Sequence, residues 1–191
     1  MTNRPAKTLL WMAVAASLAV TGCKKEDEPE PNDNELITTV TLSLTKAGST
    51  TPVTITFKDI DGPGGAAATI TPATLALDAN AAYTTKLRFL NESVTPAEDI
   101  TEEVEMKESD EHQVYYAAAS GLNLVFSKPN ADKNGKPLGT TGTITTIAAS
   151  TGTLTVTLKH KPLKENPAKT DSDPITKGET DIEVTFPVSI K

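Results

Sequence analysis

The sequence predicts an all-β domain: an antiparallel β-sandwich, Ig-like or transthyretin-like, of about eight or nine strands with one short acidic helix. Three observations carry this expectation. Apolar and polar residues alternate with period two in one segment after another. The polar partner is usually threonine, whose β-branched side chain suits the wet face of a strand. Each segment is apolar on one face only, as in an antiparallel sheet with one face packed and one in water.

In chain order, Val40, Leu42 and Leu44 alternate with Thr39, Thr41 and Ser43, and Val53, Ile55 and Phe57 with Thr54, Thr56 and Lys58. Leu87 and Phe89 alternate with Lys86 and Arg88, and Leu122, Leu124 and Phe126 make a further set. Leu154, Val156 and Leu158 alternate with Thr155, Thr157 and Lys159. The last strand is the longest, with Ile182, Val184, Phe186, Val188 and Ile190 on one face and Asp181, Glu183 and Thr185 on the other. Shorter patterns lie at residues 74–77, 114–117 and 143–147. Pro187 has no N–H to give to a ladder, which puts the last strand at a sheet edge or at a bulge.

One segment departs from period two. Thr95-Pro96-Ala97-Glu98 offers an N-cap, a proline at the first helical position and a glutamate three residues after the cap. Ile100 and Val104 follow four apart, so a short helix is expected over 96–108, its early acids favoured by the positive end of the helix dipole. Residues 161–177, rich in Pro, Lys, Asp and Asn, read as a long surface loop before the last strand.

The amino-terminus is organised differently. Arg4 and Lys7 precede an apolar run from Leu9 to Val20, and Thr21-Gly22 lead into Cys23. Such a run has the length of a secretory h-region and falls short of the ~20 residues that span a bilayer. Small residues directly before a cysteine let a signal peptidase approach the backbone. Cys23 is the sole cysteine, so it has no disulfide partner within the chain. Residues 1–22 are therefore expected to be a signal peptide, and Cys23 the first residue of the mature chain. Residues 24–34 contain little to bury and read as an acidic tether with a reach of roughly 35–40 Å. Residues 35–191 form the sandwich domain.

Composition limits function. The net charge is −7, and loss of Arg4 and Lys7 with the signal takes it to −9 (−7 minus 2). An acidic surface repels nucleic acid, and no basic patch with interleaved aromatics exists in a chain only 4% aromatic. Catalytic patterns are lacking too: there is no Gly-x-Ser-x-Gly, Walker or Rossmann signature. The chain is expected not to be an enzyme, a carboxylate-based hydrolase being the third-ranked reading because acids are abundant.

Two groups of residues have ligand chemistry. Asn130, Asp132 and Asn134 place oxygens at alternate positions before Gly135, like the start of an EF-hand loop, but the twelfth position, a bidentate acid in that loop, is Thr141. Asp59-Ile60-Asp61-Gly62 begins a second loop of this kind. Each is either a calcium loop or a turn built from standard turn residues. The second group is His112 and His160. His112 shares a face with Val114 and Tyr116 at the start of one strand, and His160 continues the face of Leu154, Val156 and Leu158 at the end of another. If those strands pair antiparallel, both imidazoles sit at one end of the sandwich. Near Asp110 or Glu111 they would suit zinc, copper or axial ligation of haem; otherwise they are ordinary strand-end histidines.

Val20-Thr21-Gly22-Cys23 resembles the bacterial lipobox, and Lys25-Glu26-Asp27 resembles the surface-export signal of Bacteroidota lipoproteins. Gly178-Glu-Thr-Asp-Ile-Glu-Val-Thr-Phe-Pro187, the run from Ala148 to Leu158, Thr95-Pro-Ala-Glu-Asp-Ile100 and Asp110-Glu-His-Gln113 extend the resemblance over nearly the whole mature chain. It is to a group of Bacteroidota lipoproteins of unknown function, often labelled type 1 periplasmic-binding-fold proteins. That label implies two α/β lobes, whereas the strand pattern here implies a sandwich. The resemblance implies a lipid anchor at Cys23 in the outer membrane, at the cell surface rather than the periplasmic face. It transfers no functional residue. The leading expectation is a non-enzymatic binding or accessory module that meets an outer-membrane protein, a glycan or a nutrient. The alternative is metal or haem capture by His112 and His160.

Overall fold

The computed structural model describes residues 36–62, 65–162 and 178–191. Cys23, the tether and most of the loop expected over 161–177 lie outside the described residues. The strands are β1 (Thr39–Lys46), β2 (Val53–Lys58), β3 (Thr69–Thr71), β4 (Leu75–Leu77), β5 (Ala82–Asn91) and β6 (Glu98–Asp99), followed by β7 (His112–Ala118), β8 (Leu124–Ser127), β9 (Thr141–Thr146), β10 (Ser150–His160) and β11 (Glu179–Ile190). Between β6 and β7, helix α1 (Ile100–Glu102) runs into a π-helical turn (Glu103–Lys107).

The strands form two sheets. One is ordered β3-β2-β1-β5-β9-β8, with β6 added at the end of β5, and the other β4-β11-β10-β7. Alternating side chains from both meet in a single core: Leu42, Ile55, Leu87, Phe89 and Ile144 from the first, and Leu154, Val156, Leu158, Val184 and Phe186 from the second. This is the expected all-β sandwich. Fully burying each such side chain contributes ~1.5–3 kcal/mol, which is why the period-two pattern governs the fold.

Pairing is antiparallel apart from β4, which lies parallel to β11 through Val188↔Leu75 and Ile190↔Leu77. β4 follows β3 closely but joins the opposite sheet, so the crossing between layers, not a hairpin, sets its direction. It covers β11 only at its last residues. Before Val188, including Pro187, no strand among the described residues pairs with that side of β11. The register shift in β11 lies elsewhere, opposite Leu158 and Lys159 of β10.

The helix begins later than expected. Glu98 and Asp99 pair with Asn91 and Leu90 at the end of β5, which holds their backbone extended and delays the first helical turn to Ile100. Asp99, not Thr95, is the cap: its carboxylate accepts from the Thr101 amide at 3.1 Å. Ile100 and Val104 are fully buried, as their four-residue spacing implied.

Candidate metal centre

β7 and β10 pair antiparallel, and their register sets His160 directly opposite His112, after Leu158↔Val114 and Val156↔Tyr116. Residues opposite one another on one face have neighbouring Cβ atoms. The imidazoles stack, with ring centroids 4.8 Å apart and planes 8° from parallel. They continue the core face at the end of the sandwich: His112 is 0% and His160 7% exposed.

A third group arrives through the irregularity in β11. Leu158 pairs with Ile182 and Lys159 with Thr180, so Asp181 is an extra residue, the signature of a β-bulge. Period two placed Asp181 on the polar face opposite Ile182. The bulge re-aims it: its side chain is 6% exposed and Oδ2 lies 3.6 Å from His112 Nε2. Gly178 leads into this strand with φ +77°, and a Cβ there would lie 2.3 Å from the His160 carbonyl oxygen. Only glycine satisfies both the left-handed backbone and the close approach.

The remaining acids come from the turn ahead of β7. The amide of Glu108 bonds to the Glu103 carbonyl at the end of the π-turn, and the Glu111 amide bonds to the Glu108 carbonyl at 2.7 Å. That same Glu108 carbonyl lies 3.1 Å from His112 Nδ1. A carbonyl oxygen can only accept, so Nδ1 carries hydrogen. Nε2, with the lone pair in a neutral ring, then faces the Asp181 carboxylate. A metal ion between these two acceptors would be held by both. His160 Nε2 lies 3.4 Å from Glu111 Oε2. One ligand atom each from Glu108, His112 and His160 lie within 4.8 Å of one another.

The loop over 130–138 supports this end of the molecule. Asn130 Oδ1 accepts from the amides of Gly139 and Thr141, each at 3.0 Å. Asp132 Oδ1 accepts from those of Asn134 and Lys136, at 2.9 and 2.8 Å. These two oxygens, weighed above as calcium ligands, each accept two backbone amides of the turn. The loop then grips the segment before β7: the Lys133 amide donates to Ser109 Oγ at 3.2 Å. Lys133 Nζ pairs with Asp110 at 2.8 Å, and this carboxylate raises the lysine above its usual range. The Val114 amide donates to the Leu138 carbonyl at 2.7 Å. In the second such loop, Asp61 Oδ2 accepts from the Ala66 amide at 2.7 Å, also a turn contact.

Of the predicted site residues, the structure thus brings His112 and His160 together and adds Glu111, while Asp110 is turned to Lys133. Sequence reasoning missed Glu108 and Asp181. Glu108 had a local signal, since it stands four residues before His112 on a turn. Asp181 had none, because a bulge depends on how β11 pairs with β10. Two imidazoles and the Glu108 carboxylate gather here, with Asp181 beside one ring and Glu111 beside the other, nitrogen and oxygen donors of the kind that suit zinc or copper. Zinc–nitrogen bonds of ~2.0–2.1 Å in a tetrahedron separate ligand atoms by about 3.3 Å, so donors up to 4.8 Å apart would close by about 1.5 Å, and the parallel rings would turn to aim both lone pairs at one ion.

No protein-family model, curated protein or solved structure matches this chain.

Proposed function

We propose that the chain is a non-enzymatic, lipid-anchored binding module of the outer membrane, displayed at the cell surface, that captures a divalent transition metal, zinc or copper, at His112 and His160. Glu108 and Asp181 would complete the donor set, with Glu111 beside His160. The observation that carries this reading is the convergence of ligand atoms from Glu108, His112 and His160 to within 4.8 Å at a buried end of the sandwich. The bland alternative is a pair of buried histidines charged by neighbouring acids. What favours metal is that two imidazoles and several carboxylates meet at one buried end of the sandwich. Two imidazolium ions at stacking distance would repel, whereas one divalent ion serves both rings and the acids together.

Haem fits this arrangement less well. Axial ligation by two histidines needs the macrocycle between the ring nitrogens, and these rings lie face to face at 4.8 Å. The anchor at Cys23 belongs to the same proposal and rests on the lipobox and the acidic tether. Two or more acyl chains would hold the module stably at a membrane.

Equilibrium dialysis of the full-length chain in detergent against zinc and copper, read by elemental analysis, tests the site. One ion per chain is expected, lost in His112→Ala and in His160→Ala. Stoichiometry that neither substitution changes would end the proposal.

A further inference from the structure

A cavity of 420 Å³ opens beside the first residues of β11 and is lined by Ile37, Phe57, Asp59, Thr180, Asp181 and Glu183, among others. Asp181 belongs to two places at once: it walls this cavity, and its carboxylate stands 3.6 Å from His112 Nε2. Two other cavities among the described residues share no donor with the histidine pair. One, of 270 Å³, lies between β7 and β8 against Tyr116 and Phe126, and another, of 200 Å³, lies beside Arg88 and Met106. Among the described residues that line the cavity beside β11, the charged ones are Asp59, Asp181 and Glu183, all of one sign.

Two further details support a passage. β4 pairs with β11 only from Val188 onward, so no described strand covers the edge of β11 here. Asp59 Oδ1 is buried with no hydrogen-bond partner among the described residues, which leaves an acceptor open to a passing cation. Glu183 is held in place by the Thr157 hydroxyl, which donates to its Oε2 at 3.1 Å.

We propose that this cleft is the path by which the metal cation reaches the histidines, with Asp59 and Glu183 at its mouth and Asp181 handing the ion to His112. The inference rests on the metal-capture reading above. A low-dielectric cleft lined by one sign of charge concentrates counter-ions and raises association rates by 10–10³-fold, an effect that salt removes.

Stopped-flow mixing of zinc with the full-length chain in detergent tests it. The double variant Asp59→Asn with Glu183→Gln should associate about tenfold more slowly at low ionic strength. The gap should close at high salt, with the dissociation rate unchanged. Glu102→Gln, which removes an exposed charge away from the cleft, should associate like the wild type. If the double variant does not fold, Glu183→Gln alone, at an exposed position, carries the test. Equal association rates for the wild type and the cleft variants at low salt would overturn the path while leaving the site standing. A wild type that binds no zinc would overturn both.

Discussion

Replacing Asp181 by asparagine separates a metal site from an ordinary buried ion pair. Asparagine keeps the shape of the side chain that stands 3.6 Å from His112 Nε2 but removes its negative charge. Zinc at 100 times its dissociation constant stabilises the wild type by ~2.7 kcal/mol. For a chain of this size each kcal/mol moves the melting midpoint by about 2–4 °C, so the wild-type zinc shift is roughly 5–10 °C. Loss of a supporting carboxylate weakens metal binding by about 10–100-fold. At the same zinc concentration the stabilisation then falls to between about 1.4 and 0.4 kcal/mol, a shift of roughly 1–6 °C. The assay is a thermal melt of each protein in EDTA and in zinc, with the difference between the two midpoints as the readout. Any cost of the substitution to the metal-free protein cancels in that difference. An Asp181→Asn protein whose zinc shift equals that of the wild type would refute Asp181 as part of the site. An ion pair without metal function would instead lower the EDTA midpoint of the variant and show no zinc shift in either protein.

Two further predictions address the sandwich itself. Phe186 is fully buried in β11, and Phe186→Ala should cost about 3–5 kcal/mol, measured as a drop in the urea midpoint at unchanged slope; a loss under 1 kcal/mol would contradict its place in the core. Acid should also destabilise the fold. The Thr39 hydroxyl and then Lys58 hold the Glu92 carboxyl below its ordinary 4.5. At Asp99 burial acts upward, but hydrogen bonds from Thr101 and Arg88 outweigh it and hold that carboxyl below 3.8. Both folded values lie below the unfolded ones, so this stabilisation is complete above the unfolded values and fades as pH falls through the folded ones. Urea midpoints should decline below about pH 4.5, and less steeply in Asp99→Asn; identical profiles for the two proteins would refute the assignment.

The strands were legible because side-chain alternation is a local property, written in consecutive residues such as Val40, Leu42 and Leu44. The helix was legible in kind but not in its boundary. Thr95 and Pro96 offered a good start, yet pairing of Glu98 and Asp99 with β5 outcompeted it, a contact with residues that sequence proximity does not reveal. The loop over 130–138 shows a related ambiguity. Asparagine and aspartate before glycine suit calcium and turn alike, and in the fold their oxygens accept backbone amides of the turn.

The sequence by itself determined that the chain is an all-β sandwich and that His112 and His160 fall on core faces at opposite ends of their own strands. These depend on period-two burial, which acts residue by residue. Only the tertiary structure decided that β7 and β10 are neighbours in a register that sets the two rings against each other, and that a bulge in β11 delivers Asp181 to them. Strand partner, register and bulge are long-range choices. They are settled by how all the apolar faces fill one core together, and no single stretch of chain encodes that sum.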